Sequence, residues 1–255
     1  MGLTDILKQL LNITKKIPVE ILPSTGLFYK DDFTVTIKKA DLEDIIEYEW
    51  EFDTTDVGSV ISRVKNIVRK NTILSSGYSF GDIKSADIVF IFLEIVKLTN
   101  KKPINVEYVD RFGVSSVIPF GESSFNYIYL SDEIMNNYDS DTKEFVIEGF
   151  RFSAPSIGIE NSLTRFLVGM TKTNKITTYK DYSYDFIYFL GNKRKIDSNE
   201  IENLLQIFNN DLSEKDQDNV KNIVNKFKQF SEYSLVNDQD IIEITSKINL
   251  ENIWS

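Results

Sequence analysis

The stretch Ile88-Val-Phe-Ile-Phe-Leu93, resuming after Glu94 as Ile95-Val96, constrains this chain more than any other segment. Read as a helix from about Ser85 to Thr99, it is apolar on nearly every side, so water must be kept from its whole circumference. It falls far short of the ~20 apolar residues that span a bilayer. What remains is a buried central helix in a globular chain. At 255 residues, 42% hydrophobic and 27% charged, the chain is long enough to cover one without disulfides or metals. No membrane insertion is expected. Asp5, Lys8 and Gln9 interrupt what a secretory leader would need as its apolar region, so a cytoplasm-like compartment is expected.

Other elements follow from hydrophobic spacing. Leu3, Leu7, Leu10 and Leu11 share a helical face that Pro18 would end. Ile21-Leu-Pro-Ser-Thr-Gly-Leu-Phe-Tyr29 reads as an extended arm with a tight turn, because Pro23 biases Leu22 toward extended backbone and Gly26 tolerates a left-handed one. Phe33, Val35 and Ile37 alternate as a short strand. A short acidic helix is expected over Ala40 to Trp50. Thr54 or Thr55 would cap a longer one carrying Val57, Val60, Ile61, Val64, Ile67 and Val68.

From Pro103 to Phe152 the period changes to two, through Ile104/Val106/Tyr108, Phe125/Tyr127/Tyr129 and Phe145/Ile147, with turns at Gly113 and Gly121. After Pro155 the helical period returns. Leu163, Phe166, Leu167 and Met170 form one face, and an aromatic helix from Tyr182 to Leu190 is ended by Gly191. Asp197-x-x-Glu200 reads as a capping box and Ser213-x-x-Asp216 as a looser version of one, each opening a helix, and Ile241, Ile244 and Ile248 suggest a last helix over Asp240 to Asn249. The expected fold class is α+β: an N-terminal mixed region with an antiparallel β section over residues 1–155, then a helical region over 156–255. The boundary near Pro155 is soft and compatible with one domain.

The composition closes most routes to chemistry. With no cysteine there is no thiolate nucleophile, and with no histidine the commonest general base and metal ligand is missing, so Ser-His and Cys-His catalysis are excluded. The net charge of −10 sets the electrostatics against nucleic acid, and the basic run Lys193-Arg194-Lys195 is short. Paired carboxylates could still serve a glycan hydrolase, but among 39 acidic residues such pairs carry no specificity. Asp139-Ser-Asp-Thr-Lys-Glu144 resembles the start of a calcium loop without its glycine or distal glutamate, and a hairpin turn accounts for it as well. No P-loop or G-x-G-x-x-G is present. No metal, cofactor or catalytic residue is expected.

Two segments are candidates for partner contact. Tyr179, Tyr182, Tyr184 and Tyr188 belong to an aromatic cluster of the kind that interfaces favour, although core packing explains it too. In the arm, Leu22, Pro23, Ser24, Gly26, Phe28 and Tyr29 form a preorganised turn that either docks on a partner or clamps inward, with the clamp favoured for Phe28.

Val19-Glu-Ile-Leu-Pro-Ser-Thr-Gly-Leu-Phe-Tyr29, with Phe33-Thr-Val-Thr-Ile37 and Ala40-Asp-Leu-Glu-Asp-Ile45 behind it, resembles the opening of baseplate proteins of T-even-like contractile-tail phages. Leu22, Pro23, Ser24, Gly26 and Tyr29 occupy the positions of a Leu-Pro-Ser-x-Gly-x-x-Tyr pattern in that family. Phe125-Asn-Tyr127 and Ala154-Pro-Ser-Ile-Gly-Ile-Glu-Asn-Ser-Leu163 are similar to its hub and hub-assembly members. The resemblance implies a non-enzymatic hub subunit or hub-assembly chaperone whose partners are other tail or baseplate proteins. It would be found in the host cytoplasm during assembly or in the virion baseplate. The rival readings are a carboxylate-dependent glycan hydrolase of a phage tail and a generic cytoplasmic adaptor.

Overall fold

The computed structural model describes residues 13–50, 57–121, 130–147, 149–172, 181–191, 195–230, 233–236, 241–243, 248–250 and 253–254. The fold is α+β, with antiparallel sheets mostly in the N-terminal half and helices toward the C-terminus. The first sheet joins β1 (Thr14–Ile17), β2 (Val35–Lys38) and β3 (Thr72–Leu74) in that order, all antiparallel. Helices α1 (Leu42–Trp50) and α2 (Val57–Asn71) lie between β2 and β3 in sequence, and α2 packs along α3 (Ile88–Asn100). Every residue from Ile88 to Val96 is buried, as an all-round apolar helix requires. Ile61, Val64, Ile67 and Val68 form the buried stripe of α2.

β4 (Asn105–Val109) and β5 (Ser115–Pro119) form a hairpin turned at Gly113, whose φ of 80° suits glycine. Further along come a single helical turn, α4 (Asp132–Met135), and a small sheet of β6 (Tyr138–Asp139), β7 (Glu144–Ile147) and β8 (Phe150–Phe152). The Asp139 to Glu144 segment is the β6–β7 turn, and the Asp139 carboxylate accepts the N–H groups of Asp141 and Thr142. Then follow α5 (Ile157–Lys172), α6 (Asp181–Phe189), α7 (Ser198–Gln206) and α8 (Glu214–Phe227). Asp197 and Ser213 are the N-caps of α7 and α8: the Asp197 carboxylate accepts the Glu200 N–H, and the Ser213 hydroxyl accepts that of Asp216. Gly191 stops α6 at a φ of 64°.

Buried side chains gather into two clusters. One draws on residues between Ile17 and Phe120, with Ile157, and on Leu235 to Trp254 near the C-terminus. The other draws on Ile134 to Phe230 together with Phe28. Both clusters therefore cross Pro155, where the secondary structure changes character.

Four local expectations need correction. Residues 14–17 are not part of a helix ending at Pro18; they are strand β1, paired to β2 from Thr14↔Lys38 to Ile17↔Val35, while Leu3 to Leu11 lie outside the described residues. The arm is coiled rather than extended, as Val19–Ile21 form a 3-10 turn and the N–H groups of Thr25, Leu27 and Tyr29 each bond three residues back. Leu167 is exposed, although Leu163 and Phe166 on its expected face are buried.

The expected last helix is replaced by strands. β9 (Ser234–Val236) pairs with β10 (Ile241–Glu243), and β11 (Ile248–Asn249) adds to β4. Ile241, Ile242 and Ile248 are all β-branched, which favours a pleated surface once a partner strand is at hand, while residues 244–247 lie outside the described residues.

Candidate functional site

The arm residues meet the rest of the chain on a buried seam. Ser24 donates its backbone N–H to Asp87 at 2.8 Å and its hydroxyl at 2.7 Å, and the Tyr29 hydroxyl donates to the same carboxylate at 2.6 Å. The Tyr29 oxygen in turn accepts the Lys84 N–H at 2.9 Å. Two successive left-handed residues, Thr25 and Gly26, turn the chain so that Ser24 and Tyr29 can both reach Asp87. A Cβ on Gly26 would stand 3.3 Å from Val19 Cγ2, so both the backbone angle and the spacing favour glycine there.

Lys84 completes the network from the other side. Its ammonium donates to Ser153 Oγ at 3.2 Å, and its backbone forms an isolated bridge to Ser156. The flanking Ser85 N–H bonds to Pro155 O, and the Ile157 N–H to Ile83 O. Asp87 and Ser153 have no exposed surface, and Lys84 is 2% exposed. Burial pushes the Asp87 carboxyl up to about 6 against the donors that favour its charge. Burial also pulls the Lys84 ammonium down to about 8, opposed by the charges of Asp87, Asp82 and Glu144. The Tyr29 hydroxyl is held well above its ordinary value by burial and by the adjacent Asp87 charge.

Beside this network, Glu160 of α5 gathers Lys65 of α2, the Ser85 hydroxyl and the Tyr233 hydroxyl. Four separated segments are thus tied together across the seam.

A serine beside a desolvated lysine is the arrangement of a Ser-Lys nucleophile pair. Here it cannot act as one in this conformation, because Ser153 offers no surface for a substrate to approach. The network's chemistry is that of a strut: each polar group is answered by another, and the burial of a charge is offset by an opposite one.

The candidate contact residues divide accordingly. Leu22, Pro23, Ser24, Phe28 and Tyr29 are buried, and Gly26 is half-buried. Phe28 packs on Phe145 and Phe230 with centroids 5.8 and 5.0 Å away, whereas its neighbour Tyr29 stacks on Phe33 at 4.1 Å. Consecutive residues therefore enter different clusters, and the arm clamps them together instead of facing outward. In this conformation the arm's large side chains face inward, as the clamp reading of Phe28 expects, and leave little surface for a partner. Tyr184 and Tyr188 are half-buried against the second cluster. Tyr182 lies in α6, and Tyr179 falls outside the described residues.

Asp87, Lys84, Ser153 and Glu160 were not singled out by sequence patterns. The available signal was an aspartate set directly before the longest apolar run. Among the described residues no group of three or more acidic side chains is placed to hold a metal ion, and no helix is long and apolar enough to cross a membrane. No protein-family model, curated protein or solved structure matches the chain.

Proposed function

We propose that this chain is a non-enzymatic assembly protein of a contractile-tail phage baseplate, either a hub subunit or a hub-assembly chaperone, acting by contact with other tail proteins. One observation carries the reading. The family-like segments Leu22 to Tyr29 and Ala154 to Leu163 stand far apart in sequence, yet both lie on the seam around Asp87, Lys84 and Glu160. The likeness therefore falls on residues that the fold depends on. A role without chemistry is supported by the sealing of Lys84 and Ser153 and by the lack of histidine and cysteine. Surface for contact is supplied by the β4–β5 hairpin, where Val109, Phe112, Val114 and Val117 are exposed.

Mass spectrometry of purified virions beside assembly intermediates tests the proposal. Presence in both identifies a structural subunit, and presence in intermediates alone identifies a chaperone. Absence from both, or release of sugars from cell-wall glycans by the purified protein, overturns it.

A further inference from the structure

In a chain of net charge −10, helix α2 carries Arg63, Lys65, Arg69 and Lys70 and no acidic residue. Two of these charges are answered nearby: Lys65 pairs with Glu160, and Lys70 with Asp44 and Glu47. Arg63 is buried, with its guanidinium over the Tyr48 ring. Arg69 differs. Among the described residues its guanidinium donates to Asn66 Oδ1 at 2.9 Å and meets no carboxylate at ion-pair distance.

Its position is nevertheless set. Asn66 donates to Glu47 at 2.9 Å, which turns the amide oxygen toward Arg69 and leaves the remaining guanidinium N–H groups for other acceptors. Two cavities, of about 300 and 150 Å³, share Arg69 and Phe80. The larger runs between α1 and α2 to Asn161. The smaller is lined by Thr72, whose buried hydroxyl has no hydrogen-bond partner among the described residues.

We propose that this groove takes an acidic side chain of a protein partner, whose carboxylate pairs with Arg69 beside the Phe80 ring. Charge complementarity selects the occupant: among the described residues no carboxylate pairs with Arg69, and a guanidinium offers a carboxylate two parallel donors. A nucleic acid fits less well, because Asp44 and Glu47 stand in the same wall and would repel successive phosphates. A peptide brings one carboxylate together with amide N–H groups that those acids accept. The inference rests on the reading of the chain as a protein that works through protein contacts, and it names the chemistry of one such contact.

The test uses the full chain and fluorescein-labelled glycine–serine peptides carrying a single glutamate, with the same peptides carrying lysine instead and oligothymidine as comparators, read by anisotropy at low and physiological salt. The glutamate peptide is expected to bind, to weaken with salt, and to lose about tenfold or more in affinity with Arg69→Glu. Arg69→Lys should retain part of the binding, and Lys102→Glu, elsewhere on the surface, all of it. Equal melting temperatures establish that the exposed substitutions leave the fold intact. The groove is refuted if the glutamate peptide fails to bind, if Arg69→Glu binds it unchanged, or if oligothymidine binds more tightly and competes. Arg69-dependent peptide binding by a protein that ignores purified hub proteins supports the groove while counting against the baseplate reading. Arg69-independent capture of hub proteins, with no peptide binding, does the reverse.

Discussion

Truncating Asp87 to alanine removes three atoms and leaves several groups stranded. The Ser24 N–H, the Ser24 hydroxyl and the Tyr29 hydroxyl lose their common acceptor, and the Lys84 ammonium loses its buried counter-charge. Breaking a buried pair from one side costs about 3–5 kcal/mol, because the remaining charge stays desolvated. For a chain of this size that corresponds to a fall in melting temperature of roughly 6–20 °C. The pair as a whole is worth much less than either half suggests. Asp87→Ala combined with Lys84→Met removes both desolvated charges, so the double variant should recover a large share of the loss. Urea unfolding of wild type, both single variants and the double variant, followed by circular dichroism, closes a double-mutant cycle. A loss below about 1 kcal/mol for Asp87→Ala would show that the network is not the strut described. Strictly additive single losses would show that Asp87 and Lys84 do not act as a pair.

The same groups make stability depend on pH. The folded-state value of Asp87 is raised, so its contribution is complete below the ordinary carboxylate range and is lost as pH rises through about 6. That of Lys84 is lowered, so its contribution is present above the ordinary lysine value and is lost as pH falls through about 8. Urea midpoints should fall with pH over the first window in wild type and stay flatter in Asp87→Asn; identical profiles would refute the assignment. Phe28→Ala empties a fully buried ring site between Phe145 and Phe230 and should cost about 3–5 kcal/mol. Phe112→Ala at 75% exposure should stay within about 0.5 kcal/mol in the same denaturation assay. Adding a chelator should leave the melting temperature unchanged, because the Asp139 carboxylate is engaged by its own turn; a clear fall would reveal an oxygen-ligand site.

Local order in this chain was legible wherever one element's apolar face is spelled in consecutive residues. The buried helix Ile88–Asn100, the stripe of α2, the β4–β5 hairpin and the caps at Asp197 and Ser213 all follow from spacing, turn and capping chemistry, because i, i+3 and i+4 neighbours share a side of a helix and alternate residues share a side of a strand whatever surrounds them. The left-handed turn at Gly26 was legible because glycine carries no Cβ to disfavour that backbone angle, but not what the turn was for. Ser24 and Asp87 are 63 positions apart, and Lys84 and Ser153 69, so neither contact leaves a periodic trace. The C-terminal isoleucines show the same limit. Their spacing fits a helix, and strands form because β9 lies alongside Ile241–Glu243 and β4 accepts Ile248 opposite Tyr108. Sequence set the turns and the helical faces. Tertiary packing decided which of them carry charge into the interior, since a desolvated carboxylate is tolerable only where the fold delivers its donors and a counter-ion to the same place.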